Sequence, residues 1–166
     1  LTGSMRLVER FQGMHALVTG GSSGIGRSCV LALVDEGAHV TAAGRDEGRL
    51  HEARDSSASP GHVRVDTADL SDPAQARRVA EDALAAMGSI DVLVNAAGVA
   101  LDAGVLDITE RDWRTTLDLN LDAGLWISQV VARPRSSMDA STAWRRSRRP
   151  TSSPFRCRSG AHCARH

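Results

Sequence analysis

The chain has 166 residues, 42% of them apolar, and a formal net charge of zero, as expected of one soluble domain with a real core. No apolar run is long enough to span a bilayer, and the start "LTGSMRLVER" has too short an apolar core for a secretory signal. The expectation is a cytoplasmic protein with no membrane partner. All 20 basic residues are arginine and tyrosine is absent, which excludes any chemistry that needs a lysine ammonium or a phenol from these residues.

Charge is unevenly spread. Residues 133–166 hold nine arginines and one acid, whereas residues 1–132 hold eleven arginines and nineteen acids. The reversal predicts a folded domain over 1–132 and a separate tail over 133–166. Cys29, Cys157 and Cys163 make no even framework, so reduced thiols are expected.

In chain order, the apolar run at 16–19 ends in glycines and predicts a buried strand. A helix over 25–36 comes next, with Ile25, Cys29 and Leu33 on one stripe and Gly37 at its stop. A second strand is predicted over 39–43, a weaker helix over 45–53, and a third strand over 62–65. Ser71-Asp72-Pro73 then opens a strong helix whose apolar positions, Ala76, Val79, Ala80, Ala83, Leu84 and Met87, step by three and four. A fourth strand over 90–94 runs into "NAAG". Thr109 and Asp112 have the spacing of a capping box ahead of a long helix through Trp113, Leu117, Leu121, Leu125 and Trp126 to about residue 131. Alternation of strand and helix predicts an α/β fold, a parallel sheet with helices on both faces. The tail is rich in Arg, Ser and Pro, lacks periodicity, and reads as disordered.

The stretch "ALVTGGSSGIGRS" admits three chemistries. Gly20-x-Ser22-x-Gly24 has the form of a hydrolase nucleophile elbow, but Ser22 comes after the first strand, with no earlier strand to supply an oxyanion donor. Gly21 through Gly26-Arg27-Ser28 has the form of a phosphate loop with arginine in place of the lysine that should reach the terminal phosphates. A dinucleotide turn uses every glycine: Gly20 for the tight turn, Gly24 for backbone approach to a pyrophosphate, Gly26 for close helix packing. Free N–H groups around Ile25 would face the anion.

The order "TGGSSGIG" (19–26), "DLSD" (69–72), "NAAG" (95–98) and Asn120 in a long helix resembles the short-chain dehydrogenase/reductase family over about residues 10–131. The resemblance implies a Rossmann-type doubly wound sheet, here ending after about four strands, and an NAD(P)-dependent oxidoreductase acting on a small alcohol or carbonyl. It implies that Thr19, Gly20, Gly24, Ile25 and Gly26, with Ser22 and Ser23 in the same turn, line the pyrophosphate. It places Asp69 on the adenine amino group with Leu70 beside it, and Asn95, Ala96, Ala97 and Gly98 beside the nicotinamide ribose. Asn120 matches the family's asparagine that holds a water in its proton relay. At the end of the second strand Arg45 precedes Asp46; an arginine there suits the extra phosphate of NADP, which is the expected cofactor, and Asp46 keeps NAD as the alternative.

The resemblance also implies a catalytic Tyr-x-x-x-Lys pair, in which the ammonium lowers the phenol's pKa. Neither residue type occurs. The expected explanation is a reading frame lost near residues 131–135, with the tail translated out of frame; turnover by this chain is then not expected. A non-catalytic nucleotide-binding or interaction module is the alternative. Arg145, Arg146, Arg148 and Arg149 beside Trp144 and Phe155 offer a weaker case for nucleic acid. Cys157, His162, Cys163 and His166 fit no common zinc spacing, and no metal is expected. A fourth strand left as an edge, and a helix face carrying Trp113 and Trp126 without cover, predict marginal stability and self-association.

Overall fold

A computed structural model describes residues 10–102 and 104–133. The tail over 134–166, with its expected disorder, arginine runs and Cys/His cluster, lies outside them.

Four strands make one parallel sheet in the order β3-β2-β1-β4: β1 His15–Thr19, β2 His39–Gly44, β3 Val63–Thr67 and β4 Val92–Asn95. Between them run α1 Gly24–Asp35, α2 Glu47–Asp55 and α3 Pro73–Met87. After β4 come α4 Glu110–Leu117, one π-helical turn over Asp118–Asp122, and α5 Ala123–Val131.

Alternation along β1 sorts the core into two layers. Ala16 and Val18 face Val30, Leu33 and Val34 of α1 together with Val40, Ala42 and Leu50. Leu17 faces the other way, onto Ala76, Val79, Ala80 and Ala83 of α3 and Ile127 and Val130 of α5. Three layers thus form around β1 and β2, which are buried on both faces, the pattern of a parallel sheet between helices.

Boundaries differ from the sequence expectation for local reasons. Asp46 is the N-cap of α2, its side chain accepting the Arg49 N–H at 3.0 Å, so the helix starts at 47 rather than 45. His62 ends a short 3₁₀ turn, Pro60–His62, where Pro60 sets the geometry, and β3 begins one residue later. Ile90 packs against the α3 layer instead of pairing, and β4 starts at Val92. The capping box of Thr109 and Asp112 is present with both reciprocal bonds. The long helix after it is interrupted by the π turn, which the apolar spacing did not signal.

Trp126 does not lack cover: Arg77 of α3 lies over its ring at 4.2 Å. Trp113, Leu121 and Leu125 are exposed, as are Val105 and Leu106 in the connection before α4. Among the described residues β4 pairs only with β1, and no helix is long and apolar enough to cross a membrane.

Candidate functional site

A cleft of about 930 Å³ opens at the carboxyl ends of the four strands. Its walls come from the segments that leave those ends: Gly20 and Ser22 to Ile25 after β1, Gly44 to Glu47 and Arg49 after β2, Ala68 and Leu70 after β3, and Ala96 to Gly98 after β4, with Leu119 of the π turn closing one side. The order β3-β2-β1-β4 reverses direction at β1, between strands joined to opposite sides of it. Such a switch point leaves a crevice because the connections diverge there.

The turn after β1 is shaped by close backbone approaches. A Cβ on Gly26 would stand 2.2 Å from the Gly20 carbonyl oxygen, so only glycine lets α1 fold down onto the turn. Gly24 has φ +50° and nothing within 4 Å of where a Cβ would be. Its need is conformational, and the space in front of it is open. The next consequence is electrostatic. Ser23 sits at the N-cap of α1 but makes no side-chain cap bond, and the first ladder bond runs from the Arg27 N–H to the Ser23 carbonyl. The N–H groups of Gly24, Ile25 and Gly26 therefore lack helical partners, at the positive end of the helix. By contrast α2, α3 and α4 are each closed by a side chain, Asp46, Asp72 and Thr109.

Ten of the fourteen residues expected around the cofactor line this cleft: Gly20, Ser22, Ser23, Gly24, Ile25, Arg45, Leu70, Ala96, Ala97 and Gly98. Four do not line it. Gly26 is the packing contact just described. Thr19 is buried; its Oγ1 donates to the Val94 carbonyl at 3.4 Å and accepts the N–H groups of Ala96 and Ala97, each at 3.1 Å. That hydroxyl ties the turn after β1 to the segment after β4 and has no capacity left for a ligand. Asp69 is exposed, with Oδ1 accepting both the N–H and the hydroxyl of Ser71. Asn95 rests its amide against Gly124 of α5.

Asn120 lies in the π turn, and its amide clasps Val99. The Val99 N–H donates to Oδ1 and Nδ2 donates to the Val99 carbonyl, both at 2.8 Å. The side chain fastens the segment after β4 to the helix, while its neighbour Leu119 reaches the cleft.

Residues that sequence reasoning missed cluster after β2. Glu47 and Arg49 line the mouth beside Arg45, and Arg49 Nε stands 3.4 Å from Asp46 Oδ2. The spacing of Arg45 and Arg49, one helical turn apart, was the available signal. Arg45 itself is exposed, and no hydrogen bond or ion pair among the described residues engages its guanidinium. No group of His, Cys, Asp or Glu among the described residues could hold a metal ion.

The arrangement can receive an elongated anion: open N–H donors at the middle, arginine at one side, apolar walls between. Comparison with known proteins agrees. A family model described as short chain dehydrogenase matches residues 14–142. The L-xylulose reductase of Mesocricetus auratus is 40% identical over 121 residues, 73% of this chain and 47% of the relative. D-threitol dehydrogenase of Mycolicibacterium smegmatis is 35% identical over 125 residues, 75% of this chain and 48% of the relative. A short-chain dehydrogenase/reductase double mutant from Serratia marcescens superposes with a TM-score of 0.70 at 32% identity, covering 74% of this chain and 51% of that structure. A blue fluorescent protein from a metagenomic library, solved in complex with NADPH, superposes with a TM-score of 0.65 at 31% identity, over 73% of this chain and 51% of that structure. The chain spans about half the length of the curated relatives it matches. By its matched motifs, its sheet order and these likenesses, the chain belongs to the short-chain dehydrogenase/reductase family.

Proposed function

We propose that this chain holds NADP(H) across the cleft, as the cofactor-binding part of an oxidoreductase that moves hydride between nicotinamide and an alcohol or carbonyl. One observation carries the reading: the start of α1 is left without a cap in front of open space, so its N–H groups lack acceptors until an anion arrives. The pyrophosphate lies against Gly20, Ser22, Ser23, Gly24 and Ile25, with Thr19 and Gly26 positioning that turn. Leu70 and Asp69 flank the adenine, and Asn95, Ala96, Ala97 and Gly98 bound the nicotinamide ribose. Bound here, the nicotinamide supplies the hydride donor or acceptor; the residues of this chain bind and orient it.

The preference for the extra phosphate rests on the contrast between Arg45 and Asp46. An acid that selects NAD needs free oxygens for the ribose diol. Asp46 has one oxygen on the Arg49 N–H and the other beside the Arg49 guanidinium. Arg45 has no partner among the described residues and can take a phosphate, with Arg49 near it.

With neither tyrosine nor lysine in its 166 residues, the chain lacks the family's proton-transfer pair, so binding without turnover is the expected behaviour. That absence also favours a second reading, a nucleotide-binding module with no reaction of its own. Fluorescence titration with NADPH and NADH, run beside an alcohol-oxidation assay, tests both. NADPH binding at least about tenfold tighter than NADH, lost in Arg45→Ala, supports the cofactor assignment. Failure to bind either nucleotide overturns it, and brisk oxidation of an alcohol overturns the expectation of binding without turnover. The nucleotide sequence around codons 130–136 tests the lost reading frame separately.

A further inference from the structure

The amino-terminal edge of the sheet, opposite the cleft, carries a row of imidazoles that the cofactor reading does not use. Parallel register pairs His15 of β1 with His39 of β2, and the pairing of Val40 with Val63 brings His62 alongside His39. The ring of His39 stands 5.7 Å from that of His15, edge on, and 4.2 Å from that of His62, tilted by 33°. Being in step with Leu17 and Ala43, these side chains lie on the α3 face, where Ala86 and Met87 roof a cavity of about 310 Å³. All three are half-buried.

Charge on this row has little to balance it. Arg64 of β3 adds a fixed positive group to the rim. Asp91 brings a carboxylate to the same edge, but its Oδ2 accepts the His15 backbone N–H. From α3 come a thioether, Met87, and a methyl group, Ala86. The carboxyl end of α3 and the Ser89 carbonyl, 3.2 Å from His15 Nδ1, offer acceptors to the His15 end of the row alone. His62 Nδ1 is buried with no hydrogen-bond partner, so the row is not anchored at that end. Burial and the two neighbouring rings hold the His39 imidazole below its usual pKa.

We propose that His15, His39 and His62 form an acid-sensitive clasp with His39 at its centre: with the His39 ring neutral the row holds the sheet edge together beneath α3, and a proton on His39, wedged between its two neighbours, forces that edge open. The sign comes from linkage. In the unfolded chain His39 takes up its proton near the ordinary histidine value of 6.5, while in the fold it resists that proton, so its contribution to stability is intact above that value and falls as pH drops below it.

The test is chemical denaturation of the full chain between pH 7.5 and pH 5.0, beside His39→Gln. The folding equilibrium constant of the parent chain should fall by up to about tenfold for each pH unit by which the His39 midpoint is lowered, and the fall should shrink in His39→Gln. Because carboxylates are common to both proteins, parallel curves overturn the proposal. Histidine resonances followed by NMR in the unmutated chain give a second reading that needs no variant. A His39 midpoint below 6.5 supports the clasp, and a midpoint at or above 6.5 overturns it.

Discussion

Helices α1 and α3 leave the same sheet at the same ends of their strands, on opposite faces, yet they begin in opposite ways. Asp72 closes α3 by accepting the Ala74 N–H at 2.8 Å and the Gln75 side-chain amide at 3.1 Å, and Pro73 brings no N–H to satisfy. At α1 the cap residue is Ser23, its hydroxyl makes no cap bond, and the residues after it are Gly24, Ile25 and Gly26. A capping side chain stabilises a helix start by roughly 1 kcal/mol. One helix has that stabilisation and the other forgoes it, although α2 and α4 are capped by side chains as α3 is. A ligand is therefore to be sought at the donors that the protein's own side chains leave alone.

Closing the open start from within gives the largest expected effect. Gly26→Ala sets a Cβ against the backbone of Gly20, where no rotamer change can relieve the contact, so a loss of about 3 kcal/mol or more is expected in chemical denaturation. Gly24→Ala is the companion, since its Cβ meets open space and only the positive φ opposes it. It should cost roughly 1 kcal/mol of stability. Equal losses for the two would mean that approach of α1 to the turn is not what Gly26 provides.

Between these two falls Thr19→Val, which keeps shape and deletes the hydroxyl that receives the Ala96 and Ala97 N–H groups. Two half-buried donors then lose their acceptor, at a cost of about 2 kcal/mol. NADPH affinity should fall as well, because the walls after β1 and β4 are no longer tied together. Thr19→Ser should recover most of both, and its failure to do so would show that the methyl group matters more than the bond.

How far these features could be read from residues alone depends on their range. The four strands, the glycine spacing and the caps at Asp72 and Thr109 are local patterns, and each appears in the fold within a residue or two. Thr19 and Asn120 are different. Their partners, Ala96 with Ala97 and Val99, lie across the sheet or in another loop, so no spacing along the chain could reveal that these side chains fasten segments together. The histidine row is set by strand register. Arg77 over Trp126 likewise needed the packing of α3 on α5.

The closed start of α3 supplies the smallest effect and the cleanest control. Backbone N–H donation from Ala74 holds the Asp72 carboxyl below its ordinary value of 3.8, helped by the Gln75 amide. Its contribution is therefore fully present above that value and is lost as pH falls through the lower folded one. Asp72→Asn keeps an oxygen on the Ala74 N–H and removes the titration, so it should be nearly silent at pH 7. Below about pH 4 the parent should lose stability that the variant does not, narrowing whatever gap separates them at neutrality. Unlike Thr19→Val, Asp72→Asn should leave NADPH affinity untouched, because α3 begins away from the cleft and its donors already have partners. A shift in affinity equal to that of Thr19→Val would erase the distinction between an open and a closed helix start on which the cofactor assignment depends.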